Sequence, residues 1–315
     1  MKRVLVTCPP MLGMFEQFIE PAKELGLELV PAQTTQVLSE EELIKLLPDY
    51  DGWIIGDDPA TRQVFAAAKS GKLVAAVKWG IGVDNVDFEA CKDLGIPIIN
   101  TPNMFGTEVA DVAMAYLLGL ARQTYFIDRE IRQNHAWPKP AGMSLTGKHI
   151  GVVGFGDIGY NVAKRLMGFD VTVTAYDPGV EGNRDLQYVQ RKSWPEGLAK
   201  LDFLVFTCAL NKHNFHMLNA ETLSQLKAGT HIVNVARGPL IDEKALIDAL
   251  ESGHITAAGL DVFEVEPLPK ESPLRKMPQC IFGSHNSSNT REGVIRASHK
   301  ALSEIARFFN EVSAG

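Results

Sequence analysis

The sequence predicts an α/β protein made of two parallel-sheet units, each covered by helices on both faces. Three observations carry this. Short apolar runs alternate with amphipathic stretches almost from end to end, and the alternation breaks once, in a segment rich in proline and glycine. A length of 315 residues suits about two domains. With 45% hydrophobic and 22% charged residues, the chain has ample material for packed cores.

In the first part, RVLVT (3–7), LELV (27–30), GWIIG (52–56), LVAAVK (73–78) and IPIIN (96–100) read as buried strands. Parallel strands covered on both faces are near-continuous apolar runs of this kind. Between them, SEEELIKLL (39–47) opens a helix at Ser39, with Glu42 three residues on completing a capping box. The pattern stops after Arg122. RQNHAWPKPAGMSLTGK (132–148) holds Pro138, Pro140, Gly142 and Gly147, shows no usable period, and reads as a long connection. Alternation then resumes with HIGVV (149–153), VTVTAY (171–176), FLVFT (203–207), HIVNV (231–235), AAGLD (257–261) and CIF (280–282). An amphipathic helix covers about 291–310.

The net charge of −7 and isoelectric point near 5.7, with no lysine or arginine run, argue against a nucleic-acid surface. Cys8, Cys91, Cys208 and Cys280 have neither metal-ligand nor disulfide spacing, so no metal is expected, and each reads as a small core residue in a reducing compartment. The start, MKRVLVTCPP, meets Pro9 and Pro10 too early for a signal peptide. The longest apolar stretch, VAMAYLLGLA (112–121), is about half a membrane span. A soluble cytoplasmic protein without a membrane partner is expected.

HIGVVGFGDIGYNVAKRL (149–166) runs from a strand through Gly154, Gly156 and Gly159 into a helix. Gly154 permits the tight turn, Gly156 lets a pyrophosphate approach the backbone, and Gly159 lets the helix pack close to the sheet. The first helical residues, Asp157 and Ile158, bring their N–H groups and a partial positive charge to the phosphates. The next strand ends at Asp177, 18 residues beyond Gly159, where a carboxylate can bind both ribose hydroxyls. That acid would repel a 2′-phosphate, so NAD is expected rather than NADP. Arg184, a cation able in principle to rescue NADP, reads as solvent-facing.

Ligands of a doubly wound sheet bind outside the carboxyl ends of its strands. After HIVNV comes ARGPLID with Arg237; after AAGL comes DVFEVEP with Asp261, Glu264 and Glu266; after CIF comes GSHNSS with His285. A glutamate bonded to the imidazole favours the protonated ring and sets which nitrogen faces the substrate. The ring can then donate a proton to a ketone oxygen as hydride arrives from a nicotinamide, and can accept the hydroxyl proton in reverse. Arg237 offers a forked donor to a carboxylate and a polarised carbonyl. A 2-keto or 2-hydroxy acid uses all three groups. Spacing alone leaves Glu264 and Glu266 as alternatives.

NVARGPLIDEKALIDALESGHITAAGLDVFEVEP (234–267) resembles the signature of the D-2-hydroxyacid dehydrogenase family, and the likeness runs over nearly the whole chain. The resemblance implies a catalytic trio of Arg237, Glu266 and His285, since the family's working glutamate directly precedes the proline, here Pro267. It implies that Asp261 binds the nicotinamide amide, and that Thr207, Cys208 and Ala236 line the cofactor. KWGIGVDNVD (78–87) looks like the family's substrate loop, in which the N–H groups of Ile81 and Gly82 hold the carboxylate. The implied architecture is a Rossmann nucleotide domain (103–291) inserted in a flavodoxin-like substrate domain (1–102 plus 292–315). The site lies in the cleft, the domains close on ligand, and the arm 122–147 makes a homodimer. Two departures touch cofactor contacts more than chemistry: SHNSS in place of Pro-His before small residues, and TCAL (207–210) in place of His-x-Pro-Leu.

Within the family the chain is most similar to phosphoglycerate dehydrogenases, through GVDNVD, NTPN and Trp137-x-Lys139. A substrate phosphate would need cations, for which Lys78 and Lys139 are the candidates. The chain ends soon after its last helix, so no regulatory domain is expected. Glyoxylate or hydroxypyruvate reduction is the alternative. A further one is a corepressor that uses NAD as an assembly ligand. Glu266 argues against a formate dehydrogenase, where glutamine is expected.

Overall fold

The computed structural model describes residues 1–34, 36–179, 186 and 188–314, so Arg184 lies outside the described residues. It contains two compact units, Met1–Phe105 with Asn289–Gly315, and Gly106–Ser288. Each is a parallel sheet with helices.

In the first unit β1 (Lys2–Val6) leads through α1 (Pro9–Leu12) and α2 (Glu16–Glu24) to β2 (Leu27–Pro31) and α3 (Glu40–Leu46). Then follow β3 (Gly52–Ile55), α4 (Arg62–Ser70), β4 (Ala75–Lys78), α5 (Phe88–Leu94) and β5 (Ile98–Asn100). The strand order is β2-β1-β3-β4-β5, all parallel, the flavodoxin-like order whose switch point lies between β1 and β3. Helix α3 begins with the capping box read from the sequence: Glu42 N donates to Ser39 Oγ, and Ser39 N to Glu42 Oε2.

Alternate residues of β3 face opposite sides, as a pleated strand requires. Trp53 and Ile55 join Leu43, Leu47 and Phe65 in one core cluster. On the other face the C-terminal helix, Arg291–Ala314, packs where Gly52 leaves room. A Cβ on Gly52 would stand 2.8 Å from both Ile305 Cδ1 and Phe309 Cζ. Gly52→Ala is therefore expected to destabilise the protein by about 1–3 kcal/mol, the usual cost of overpacking against side-chain tips that can yield. The check is a lower urea midpoint at constant m; an unmoved midpoint would refute this packing.

The second unit starts with α6 (Gly106–Arg122) and α7 (Thr124–Asn134) and continues with β6 (His149–Val153), α8 (Asp157–Leu166), β7 (Thr172–Tyr176) and β8 (Val189–Arg191). It is completed by β9 (Phe203–Phe206), α9 (Ala220–Ser224), β10 (Thr230–Asn234), α10 (Glu243–Glu251), β11 (Ile255–Leu260) and β12 (Cys280–Phe282). The order β8-β7-β6-β9-β10-β11-β12, all parallel, is a Rossmann-type sheet with its switch point between β6 and β9. β9 and β10 are buried at every residue.

Two elements were not visible in the sequence. Helix α7 occupies 124–134 and buries none of its residues, so no apolar stripe announces it. β8 is a three-residue edge strand with mostly exposed side chains, and edge strands lack the apolar run of a central one. From 135 to 145 the chain has no regular secondary structure.

Candidate active site

The glycine turn is shaped by what presses on it. Gly154 has φ +87°, open to glycine, and the backbone of Cys208 occupies the place of its missing Cβ. A Cβ on Gly159 would land on the Gly154 carbonyl oxygen. Thr207 Oγ1 donates to that same oxygen at 2.7 Å and lies 3.1 Å from the Val153 carbonyl oxygen, so this hydroxyl holds the turn itself. Helix α8 begins at Gly156 with no side chain capping its first N–H groups, and Asp157 and Ile158 form its half-buried first turn. Asp177, just past β7, accepts from Phe155 N at 2.5 Å and from Gly179 N at 2.8 Å. Burial pushes the neighbouring Cys208 thiol up to about 12, so it stays a neutral packing group. A tight glycine turn, an uncapped helix start and an acid at the end of the next strand fit an NAD dinucleotide.

Arg237, Glu266 and His285 come together at the carboxyl ends of β10, β11 and β12. His285 Nδ1 lies 2.7 Å from Glu266 Oε2, and its Nε2 lies 3.4 Å from Arg237 Nη1. The other Glu266 oxygen accepts from Phe263 N at 2.9 Å, which fixes the carboxylate from behind. His285 adopts φ +56°, a left-handed conformation that costs a non-glycine residue about 1–2 kcal/mol. Its turn is held by Asp261, 2% exposed. The Asp261 carbonyl accepts from His285 N at 2.7 Å, and its carboxylate accepts from Asn286 N at 3.3 Å and Ser287 N at 3.0 Å. The Ser287 and Tyr116 hydroxyls also donate to that carboxylate. Asp261 thus fastens the loop that presents the imidazole.

Arg237 is held similarly. Asn234, buried at the end of β10, accepts from Ala236 N at 3.0 Å and donates to the Arg237 carbonyl at 2.9 Å. Gly238 has no room for a Cβ because the backbone of Phe263 and Glu264 stands there, which lets the Arg237 turn lie against the Glu266 loop. Asn234, Tyr116 and Ser287 were missed in the sequence. Only Asn234, a polar residue inside a buried strand, left a signal there. Glu264, the other acid of that loop, lies with its Oε1 2.6 Å from His216 Nε2.

In the first unit the loop after β4 carries Ile81 and Gly82, both half-buried. Thr101 Oγ1 accepts from Gly80 N at 2.8 Å and Asn100 Nδ2 donates to the Ile81 carbonyl at 3.1 Å, so NTPN pins this loop. Lys78, a candidate cation for a substrate phosphate, already has protein partners. It is 2% exposed, and its ammonium donates to the Gly56 carbonyl at 2.6 Å and to Asp57 at 3.1 Å. A buried ammonium must find such partners. Lys139 lies exposed in the irregular stretch after α7. Among the described residues no acidic, histidine or cysteine cluster could hold a metal, and no helix is long and apolar enough to cross a membrane.

A dinucleotide fold whose strand ends gather an imidazole, a carboxylate and a guanidinium has the equipment of a nicotinamide-linked dehydrogenase. The model of the D-isomer specific 2-hydroxyacid dehydrogenase NAD-binding domain matches residues 114–287. The chain is 34% identical to a hydroxypyruvate reductase of Thermotoga maritima, over 86% of this chain and 89% of that one. It is 32% identical to a D-3-phosphoglycerate dehydrogenase of Archaeoglobus fulgidus over 93% of its own length, but spans only 54% of that relative. The crystal structure of a glyoxylate reductase from Paecilomyes thermophila matches with a TM-score of 0.82 at 28% identity, covering 96% of this chain and 94% of that one. The chain belongs to the D-isomer-specific 2-hydroxyacid dehydrogenase family, NAD-dependent oxidoreductases that act on CH–OH donors.

Proposed function

We propose that the protein interconverts a short D-2-hydroxy acid and its 2-keto acid, with His285 as general acid and base. The observation that carries this is the His285 ring between Glu266, 2.7 Å away, and Arg237, 3.4 Å away. Glu266 orients the ring through Nδ1 and favours its protonated form, leaving Nε2 to exchange a proton with the substrate oxygen. Arg237 holds the same oxygen and the carboxylate beside it. The N–H groups of Ile81 and Gly82 are assigned to the substrate carboxylate. NAD, when bound, supplies or accepts the hydride. Gly154, Gly156, Asp157, Ile158 and Gly159 are assigned to its pyrophosphate, Asp177 to its ribose, and Thr207, Cys208, Ala236 and Asp261 to the walls of its site.

The partners already engaging Lys78 favour an unphosphorylated substrate such as hydroxypyruvate or glyoxylate. A phosphoglycerate dehydrogenase is the second reading, supported by Lys139 and by Trp137, which is 78% exposed beside it. We assign the arm 122–147 to a homodimer interface, because Tyr125, Ile131 and Trp137 expose large apolar surface there. Four unpaired thiols suit the cytoplasm. The test is NADH oxidation with hydroxypyruvate, glyoxylate and 3-phosphohydroxypyruvate. Highest kcat/KM on an unphosphorylated acid is the expected result. Preference for the phosphorylated one would install the second reading, and tight NADH binding without any turnover would point to a corepressor-like role.

A further inference from the structure

A second carboxylate–imidazole pair has its carboxylate on the loop that carries Glu266. Glu264 Oε1 stands 2.6 Å from His216 Nε2, a close contact without the alignment of a good hydrogen bond. The same oxygen accepts from Glu243 N, the first residue of α10, at 3.1 Å. Glu243 Oε2 in turn accepts from Glu264 N at 3.3 Å. The loop and the helix start therefore grip each other reciprocally. Burial, and then the charge of Glu264, push the Glu243 carboxyl above its usual range, so the two acids are close enough to feel each other.

The backbone around this cluster ties it to the site. His216 N donates to the Pro239 carbonyl at 2.8 Å, Leu218 N to that of Leu240 at 3.1 Å, and Asp242 N to that of Leu218 at 2.9 Å. The segment 216–218 is thus laid along the turn that leaves Arg237, while Gly238 is pressed on Phe263. His216 itself has φ +48°, a conformation its surroundings must hold, and its ring stacks on Phe215 with centroids 4.0 Å apart. Three segments meet here, and two of them carry the guanidinium and the carboxylate assigned to catalysis.

We infer that Glu264, gripped by His216 and Glu243, is a positioning residue that fixes Glu266 against His285. This rests on the assignment of His285 and Glu266 as the acid–base pair. None of the three touches the reacting atoms. Their effect passes through where Glu266 stands, and so through how firmly the protonated imidazole is favoured.

The experiment measures kcat, KM and the pH profile of keto-acid reduction for wild type, Glu264→Ala, Glu264→Gln, His216→Gln and His285→Ala. Each variant is also titrated with NADH by fluorescence. For Glu264→Ala, kcat is expected to fall about tenfold, short of the roughly hundredfold that a full ångström of misplacement costs. NADH affinity should stay unchanged. Reduction needs the protonated ring, so activity falls as pH rises; a loosened Glu266 moves that fall to lower pH. Glu264→Gln, whose amide oxygen can still accept from Glu243 N, should recover most of kcat. His216→Gln, a change at the edge of the cluster, should shift the profile in the same direction and serves if Glu264→Ala does not fold. Profiles of the Glu264 and His216 variants that superimpose on wild type, beside an inactive His285→Ala, would overturn the inference alone. An active His285→Ala would instead overturn the acid–base assignment.

Discussion

His285→Ala is expected to lower turnover by about 10²–10⁴-fold, the range that a positioned general acid and base supplies. The substitution removes the ring nitrogen assigned to exchange the proton and leaves Glu266, still held by Phe263 N, facing Arg237 without an imidazole between them. NADH binding should survive, because the glycine turn and Asp177 lie after other strands of the same sheet. His285→Gln should rescue little, since an amide can bond to Glu266 but cannot shuttle a proton at neutral pH. Steady-state reduction of the preferred keto acid, with NADH titrated separately, decides it. Turnover within about tenfold of wild type would be far too much for the loss of a general acid.

Gly159→Ala strikes the cofactor side with comparable force. Its Cβ would land on the Gly154 carbonyl oxygen and stand 2.9 Å from Thr207 Oγ1. The first obstacle is backbone, which cannot rotate aside as a side-chain tip can. Helix α8 must move off the sheet or the turn must open, and either displaces the N–H groups assigned to the pyrophosphate. Folding stability should drop by about 1–3 kcal/mol, within the reserve of an ordinary domain. NADH affinity should weaken by about a hundredfold, as expected for a displacement near 1 Å in a positioned site. Fluorescence titration alongside a urea melt separates the two effects. A variant that folds and binds NADH like wild type would show that α8 is not seated as described.

Much of the fold was legible because its signals are local. Runs such as VTVTAY and FLVFT must be buried on both faces, so their apolar continuity marks them as central parallel strands. The Ser39 and Glu42 cap involves residues three apart and could be read directly. Helix α7 and β8 escaped because neither buries a patterned face. In the site, the glycine spacing and Asp177 are compact motifs. The hydrogen bonds that hold them are not: Thr207 reaches Gly154 from 53 residues away, and Tyr116 reaches Asp261 from 145.

The sequence by itself determined that this is an α/β protein with a dinucleotide turn and with acid, base and cation at successive strand ends. Those features follow from burial period, glycine conformation and side-chain chemistry, which each residue carries wherever it is placed. Only the tertiary structure decided who pairs with whom. Spacing could not separate Glu264 from Glu266, two residues apart on one loop, yet Glu266 meets His285 and Glu264 meets His216. It also turned Lys78 into a buried partner of Asp57. The reason is physical. A charge's role is set by which groups replace its water, and those groups arrive from distant parts of the chain only after the sheets have formed.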